Sequence, residues 1–148
     1  MARVDVTVEN VIHRPREAVA AYSAEPDNAV EWYENITAVQ WVTPRPLATG
    51  SKFEFTAGFL GRTLTYTYEV VELAPGRRLV MRTAQGPFPM ETTYEWEDAD
   101  GDSTRMTLRN RGEPSGFFGI AALLLRMAMT RATTKDLARL KSILEHDG

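Results

Sequence analysis

The stretch Met90-Glu91-Thr92-Thr93-Tyr94-Glu95-Trp96-Glu97-Asp98-Ala99-Asp100-Gly101-Asp102-Ser103-Thr104-Arg105-Met106-Thr107-Leu108-Arg109-Asn110 decides how the chain folds. In its first half Met90, Thr92, Tyr94 and Trp96 alternate with Glu91, Thr93 and Glu95. In its second half Met106 and Leu108 alternate with Arg105, Thr107 and Arg109. A period of two marks a strand with one buried face, and the acidic segment around Gly101 suits the turn between two of them. Setting Glu95 opposite Arg105 also pairs Thr93 with Thr107 and Glu91 with Arg109 on the solvent face. Tyr94 then meets Met106 and Thr92 meets Leu108 on the buried side. Such solvent-face pairs contribute roughly 0.2–1 kcal/mol each, and a one-residue slip would reverse both faces.

Upstream, the same alternation recurs. Val4, Val6 and Val8 alternate with Asp5, Thr7 and Glu9. Pro15 then suits the first turn of a short helix with Ala18, Val19 and Tyr22 on its apolar side. Pro26-Asp27 starts a second short helix that ends near Trp32-Tyr33. Further strands follow at Ile36–Val42, at Phe53, Phe55 and Ala57, at Leu64 to Val70, and at Leu79, Met81 and Thr83. Pro75-Gly76 and Gly86-Pro87 break the chain between them. Hairpin-length links favour antiparallel pairing throughout.

Downstream, residues 117–145 contain no proline and only one glycine, Gly119. Leu123, Thr130, Leu137 and Leu144 recur every seven residues, with Met127, Thr134 and Lys141 four residues after the first three. This spacing predicts one stripe of a long helix facing the sheet. No other helix is long enough to cover the apolar face, so the sheet must curl around this one. The expectation is a single α+β domain over residues 1–148: a seven-stranded curved antiparallel sheet wrapped around a C-terminal helix, with two short helices after the first strand.

Bulk properties narrow the function. The 148 residues are 43% apolar and 25% charged, with a net charge of −3, which offers no basic field for nucleic acid. There is no cysteine, so disulfides and thiolate chemistry are excluded. His13 and His146 lie far apart and form no spaced metal-ligand set; no metal or cofactor is expected. The first residues lack a signal peptide's apolar run, and a cytoplasmic protein is expected. The apolar run Phe117 to Met129 contains Arg126 and is shorter than the ~18 residues of a spanning helix, so no stable membrane insertion is expected. Phe117, Phe118, Leu124, Leu125 and Met129 surround the helix start on all sides. A gate over a cavity or a homodimer contact is the expected use, ahead of packing under loops.

This organisation resembles the START-like or SRPBCC superfamily, with its helix-grip fold, and in particular its polyketide cyclase/dehydrase-like members. The matching residues run almost the length of the chain. They are Pro15 and Val19, Asp27 and Trp32, Gly50, Gly61, the turn Ala74-Pro75-Gly76-Arg77-Arg78-Leu79, Gly101 with Thr104, and Leu137-Ala138-Arg139-Leu140-Lys141. The resemblance implies a cavity between sheet and long helix that holds lipids, polyketides or other apolar compounds. It implies no single activity, because fold does not determine function.

By parity the inner face carries Phe53, Phe55, Leu64, Tyr66, Tyr68, Met81, Met90, Thr92, Tyr94, Met106, Leu108 and Asn110. Trp32 of the second short helix joins them, and the long helix is expected to add Leu123, Met127, Thr130 and Thr134. Aromatic walls with a few hydroxyl and amide groups suit an amphiphilic pocket. Inward hydroxyls from Tyr66, Tyr68, Thr130 and Thr134 would be costly to bury dry and unpaired. No acid or histidine is placed inside by this reading, so no catalytic residue is assigned. Binding of a small apolar or aromatic ligand is therefore the first expectation. The alternatives are a polyketide cyclase/dehydrase-like enzyme working by substrate positioning, and a chaperone-activator-like interaction protein. An inward His, Asp or Glu near the tyrosines would favour the enzyme.

Overall fold

The computed structural model describes residues 4–59, 61–85, 89–113 and 120–146. The chain runs β1 (Val4–Ile12), α1 (Arg16–Ala24), a single 3-10 turn (Pro26–Asn28), α2 (Ala29–Trp32), β2 (Ile36–Trp41) and β3 (Lys52–Phe59). It continues through β4 (Arg62–Ala74), β5 (Arg78–Gln85), β6 (Met90–Ala99) and β7 (Ser103–Gly112) to α3 (Ile120–His146). The seven strands form one antiparallel sheet in the order β1-β7-β6-β5-β4-β3-β2. This is the α+β helix-grip architecture expected from the strand and helix periods.

Local chemistry explains the boundaries. Pro15 stands immediately before α1, and its carbonyl accepts the N–H groups of Ala18 and Val19 at 3.1 Å each. Gly76 and Gly101 take positive φ of 76° and 68° at the β4–β5 and β6–β7 turns, a conformation that side-chain-bearing residues resist. Irregular pairing within β4 at Thr67/Tyr68 and Val70/Glu72, and within β2 at Ile36/Ala38, bends the sheet. That curvature makes room for α3.

The register of β6 and β7 differs from the sequence expectation by two residues. Glu91 lies opposite Arg111, Thr93 opposite Arg109, Glu95 opposite Thr107 and Trp96 opposite Met106. Tyr94 faces Leu108 and Thr92 faces Asn110. The turn is centred on Gly101 with Ala99 paired to Ser103, and turn geometry fixes hairpin register. A two-residue shift keeps every side chain on its own face, so the inward set survives. The charges find other partners: Glu91 bonds Arg82 and Arg111, Glu95 bonds Arg78, and Arg109 bonds Asp5 at 2.6 Å.

The face of α3 also differs. Leu125, Thr133, Asp136, Leu137, Leu140 and Leu144 are buried, whereas Leu123 and Met127 are 54% and 58% exposed. Thr130 and Thr134 are exposed too, and their hydroxyls donate to the carbonyls of Arg126 and Thr130 four residues back. Two offsets cause this: a heptad line drifts by ~20° per repeat, and the line of Met127, Thr134 and Lys141, four residues on, lies about 40° further round the helix. Leu137 and Leu144 on the predicted stripe reach the core, while its earlier members have rotated out to solvent. Phe117 and Phe118 lie outside the described residues, Leu124 is exposed, and Leu125 packs on Val4 and Val6.

The main core fills the space under α1, α2 and the C-terminal half of α3. Trp32, Ile12, Met106, Leu108 and Leu140 are completely enclosed there. Polar ties fix that half of the helix to β1 and to the link after it: Asn10 Nδ2 donates to the Leu137 carbonyl at 3.0 Å, and Arg14 donates to the Leu144 carbonyl at 2.9 Å. Lys141 Nζ donates to the Val11 carbonyl. The other end of the helix stands over a different part of the sheet. There the packing leaves space.

Candidate functional site

A cavity of about 270 Å³ lies between the middle strands and α3. Phe55 and Ala57 from β3, Tyr66 and Tyr68 from β4, Met81 from β5, Met90 and Thr92 from β6 and Asn110 from β7 form its sheet wall. Leu125, Ala128, Met129, Ala132, Thr133 and Asp136 of α3 form the opposite wall. Tyr33, Asn35 and Ile36, at the α2–β2 junction, and Gly58 close one end. The lining is mostly apolar, with polar atoms in two places.

One place is a chain of side-chain hydrogen bonds running from sheet to helix. Thr92 Oγ1 donates to Asn110 Oδ1 at 2.8 Å, and Asn110 Nδ2 donates to Thr133 Oγ1 at 3.4 Å. Beside it the Tyr68 hydroxyl has Met90 Sδ at 4.0 Å, a weak acceptor. The second place is Asp136. Its Oδ1 accepts the main-chain N–H of Glu34 at 3.0 Å, tying the α2–β2 junction to the helix. Burial pushes the Asp136 carboxyl up to about 6, and the negative Glu34 adds to this, while the Glu34 N–H works the other way. Behind it the hydroxyls of Tyr33 and Tyr94 are hydrogen bonded to each other. Burial raises the phenols of Tyr33, Tyr68 and Tyr94 well above their usual range, so all three stay protonated at neutral pH.

The structure sorts the residues singled out from sequence into three groups. Phe55, Tyr66, Tyr68, Met81, Met90, Thr92 and Asn110 line the cavity. Trp32, Phe53, Tyr94, Met106 and Leu108 are buried in the core behind it, and Leu64 is half-buried against the core. Leu123, Met127, Thr130 and Thr134 are exposed on α3 and do not line the cavity. The helix wall is instead Leu125, Met129, Thr133 and Asp136, with Ala128 and Ala132. A 3.6-residue period begun at Leu125 reaches Met129, Ala132, Thr133, Asp136 and Leu140, so the signal existed. Asp136 is also the first acidic residue in α3. Tyr33, Asn35 and Ile36 carried no such pattern, because a junction between elements has no period.

Among the described residues no three His, Cys, Asp or Glu side chains gather as a metal site, and no helix is long and apolar enough to cross a membrane.

A curved sheet gripping a long helix over a mostly apolar cavity defines the helix-grip class of folds. A family profile described as polyketide cyclase/dehydrase and lipid transport matches residues 2–145, and the chain belongs to that family. Among solved structures, TTHA0849 from Thermus thermophilus is similar at a TM-score of 0.83 and 19% identity, covering 97% of this chain and 99% of that one. The Zhui aromatase/cyclase from Streptomyces sp. R1128 is similar at 0.81 and 16% identity, covering 97% of this chain and 94% of that one. A START superfamily protein from Mycobacterium smegmatis is similar at 0.77 and 16% identity, covering 95% and 98%. At these identities the likeness is one of fold. No curated protein matches the sequence significantly.

Proposed function

We propose that this chain binds a small, largely apolar molecule, with a ring or short chain and an oxygen-bearing group, between its sheet and α3. The observation that supports this reading best is the cavity itself: an apolar space flanked by the Thr92–Asn110–Thr133 chain and by Asp136. Its volume of about 270 Å³ falls just below the usual span of ligand sites, roughly 300 to 1,000 Å³. A single ring system or a medium-length chain suits it better than a long lipid. Ligand oxygens would take donors from Tyr68 and Asn110, and the ligand's apolar body would meet Phe55, Met81, Met90 and Met129. Native mass spectrometry of protein purified from its own host tests this. A co-purifying small molecule supports the proposal; repeated recovery of empty protein, with no uptake of aromatic probes, contradicts it.

Asp136 favours a second reading, a polyketide cyclase/dehydrase-like enzyme. A buried carboxyl with its pKa moved to about 6 can accept and return a proton near neutral pH. The cavity would hold a poly-carbonyl chain in a folded conformation, so that positioning supplies most of the rate gain. Asp136 would remove a proton from carbon, while Tyr68 and Asn110 donate to the carbonyl oxygen that gains charge. Asp136→Asn separates the two readings: an enzyme loses turnover, while a binding protein keeps its affinity. The exposed Leu124 at the apolar start of α3 belongs to the proposal as a homodimer contact, measured by sedimentation of wild type against Leu124→Asp.

A further inference from the structure

The cavity has a neighbour on the outer side of α3. A shallow groove there is lined by Glu34, Met127, Ala128, Arg131, Ala132 and Lys135. Ala128 and Ala132 belong to both spaces. They stand one helical turn apart, so the edge of α3 that both spaces touch carries only methyl side chains there.

The two sides of that edge carry opposite charge. Outside, Arg131 and Lys135 are exposed and one turn apart, hence on the same side of the helix. Neither makes an ion pair among the described residues, and α3 holds no acidic residue from Ile120 to Lys135. Glu34 is the single acid in the groove, so two cations stand there against one carboxylate and the balance of the groove is positive. Inside, Asp136 is buried and negative when ionised. An acidic group is therefore disfavoured in the cavity and favoured in the groove, although the whole chain carries −3.

We infer that Arg131 and Lys135 form an anion subsite at the cavity mouth, and that the ligand is an amphiphile with an acidic head. Its apolar body lies in the cavity, its head crosses the Ala128–Ala132 edge, and the head takes hydrogen bonds from both cations. A carboxylate at the end of a medium chain or on an aromatic ring is the simplest such group. This deepens the binding reading and rests on it.

The test is displacement of the neutral probe N-phenyl-1-naphthylamine by decanoate and, separately, by decanol, at low salt. It compares wild type with Arg131→Gln/Lys135→Gln, which changes two exposed side chains and leaves the core intact. The double variant should bind decanoate roughly fivefold more weakly, in keeping with two solvent-exposed ion pairs, with decanol and the probe unchanged. Raised salt should weaken decanoate binding to wild type alone. Equal decanoate affinity in both proteins overturns the subsite while leaving the cavity reading intact. Failure of the probe and both competitors to bind wild type overturns both. A third arm measures co-sedimentation with phosphatidylglycerol vesicles. Loss of vesicle binding in the variant with unchanged decanoate affinity assigns the cations to a lipid surface, and overturns the proposal.

Discussion

Asp136 Oδ1 accepts the main-chain N–H of Glu34 at 3.0 Å, a hydrogen bond that joins the middle of α3 to the junction between α2 and β2. The bond places a buried carboxyl in the cavity wall and gives it two consequences, one for stability and one for chemistry. Burial raises its pKa in the folded protein to about 6, whereas an unfolded Asp titrates near ~3.9. Between those values the folded state binds the extra proton. Stability from this group is therefore greatest in acid and falls as pH rises through that window.

Asp136→Asn keeps an oxygen for the Glu34 N–H and cannot ionise. Wild type should lose thermal stability relative to Asp136→Asn as pH rises from about 4 to about 7. Melting temperatures of both proteins across that range check it. The difference between them cancels the carboxylates common to both, such as Asp27 and Glu145. A constant difference would mean that Asp136 titrates normally.

Glu91 should behave in the opposite sense. Burial alone would raise its pKa, but hydrogen bonds from Arg111 and Arg82 outweigh this and hold it below the usual carboxylate range. A lowered pKa contributes stability above the unfolded value of ~4.3, lost as pH falls through the folded one. Glu91→Gln should cost about 1 kcal/mol at pH 7, because both arginines are partly solvated, and close to nothing near pH 2. Urea titrations at the two pH values measure it.

The face of α3 is testable by paired truncations. Leu137→Ala opens a cavity in the core and should cost about 2–4 kcal/mol. Leu123→Ser and Thr134→Ala lie on the outer side, where substitutions change stability by about 0.5 kcal/mol or less. Chemical denaturation of the three variants distinguishes the observed face from the heptad line, on which Leu123 and Thr134 would be as costly as Leu137.

Tyr68 should select ligands by their oxygen. Tyr68→Phe removes a hydroxyl whose neighbours are Met90 Sδ at 4.0 Å and the Thr92 hydroxyl; Thr92 keeps its bond to Asn110, so folding should be largely preserved. Affinity for 1-naphthol should fall by about three- to tenfold, the value of one net hydrogen bond, while naphthalene binding stays constant. Tyr66→Phe should also leave folding intact and weaken binding. Isothermal titration with both ligands reads the effect, and equal losses for both would remove the hydroxyl from ligand recognition.

Much of this was legible in the sequence because β-sheet faces are a matter of parity. Phe55, Tyr66, Tyr68, Met81, Met90, Thr92 and Asn110 alternate with polar residues, and parity alone turned them inward. The same insensitivity hid the two-residue shift between Glu91 and Arg109, since charge pairing is satisfied in either register. Depth along a strand is invisible to parity as well: Tyr94 and Met106 point the right way but sit under the C-terminal half of α3, where packing is tight. On the helix, a line through Leu123 and Leu144 rotates with length, and three consecutive leucines at 123–125 fit several faces equally. Asp136 was missed because its position depends on that face. Tyr33 and Asn35 were missed because only tertiary packing brings their junction to the cavity.

The most direct test of the cavity uses the methionines, which the fold distributes unusually well. Met81, Met90 and Met129 line the space, Met106 is buried in the core, and Met127 is 58% exposed on the outer side of α3. In protein labelled at the methionine methyl groups, titration with N-phenyl-1-naphthylamine should shift the signals of Met81, Met90 and Met129 together and saturably. Met106 should stay in place, and Met127 should change little. Binding that leaves Met81, Met90 and Met129 unmoved, or that shifts Met127 alone, would contradict a ligand site between the sheet and α3.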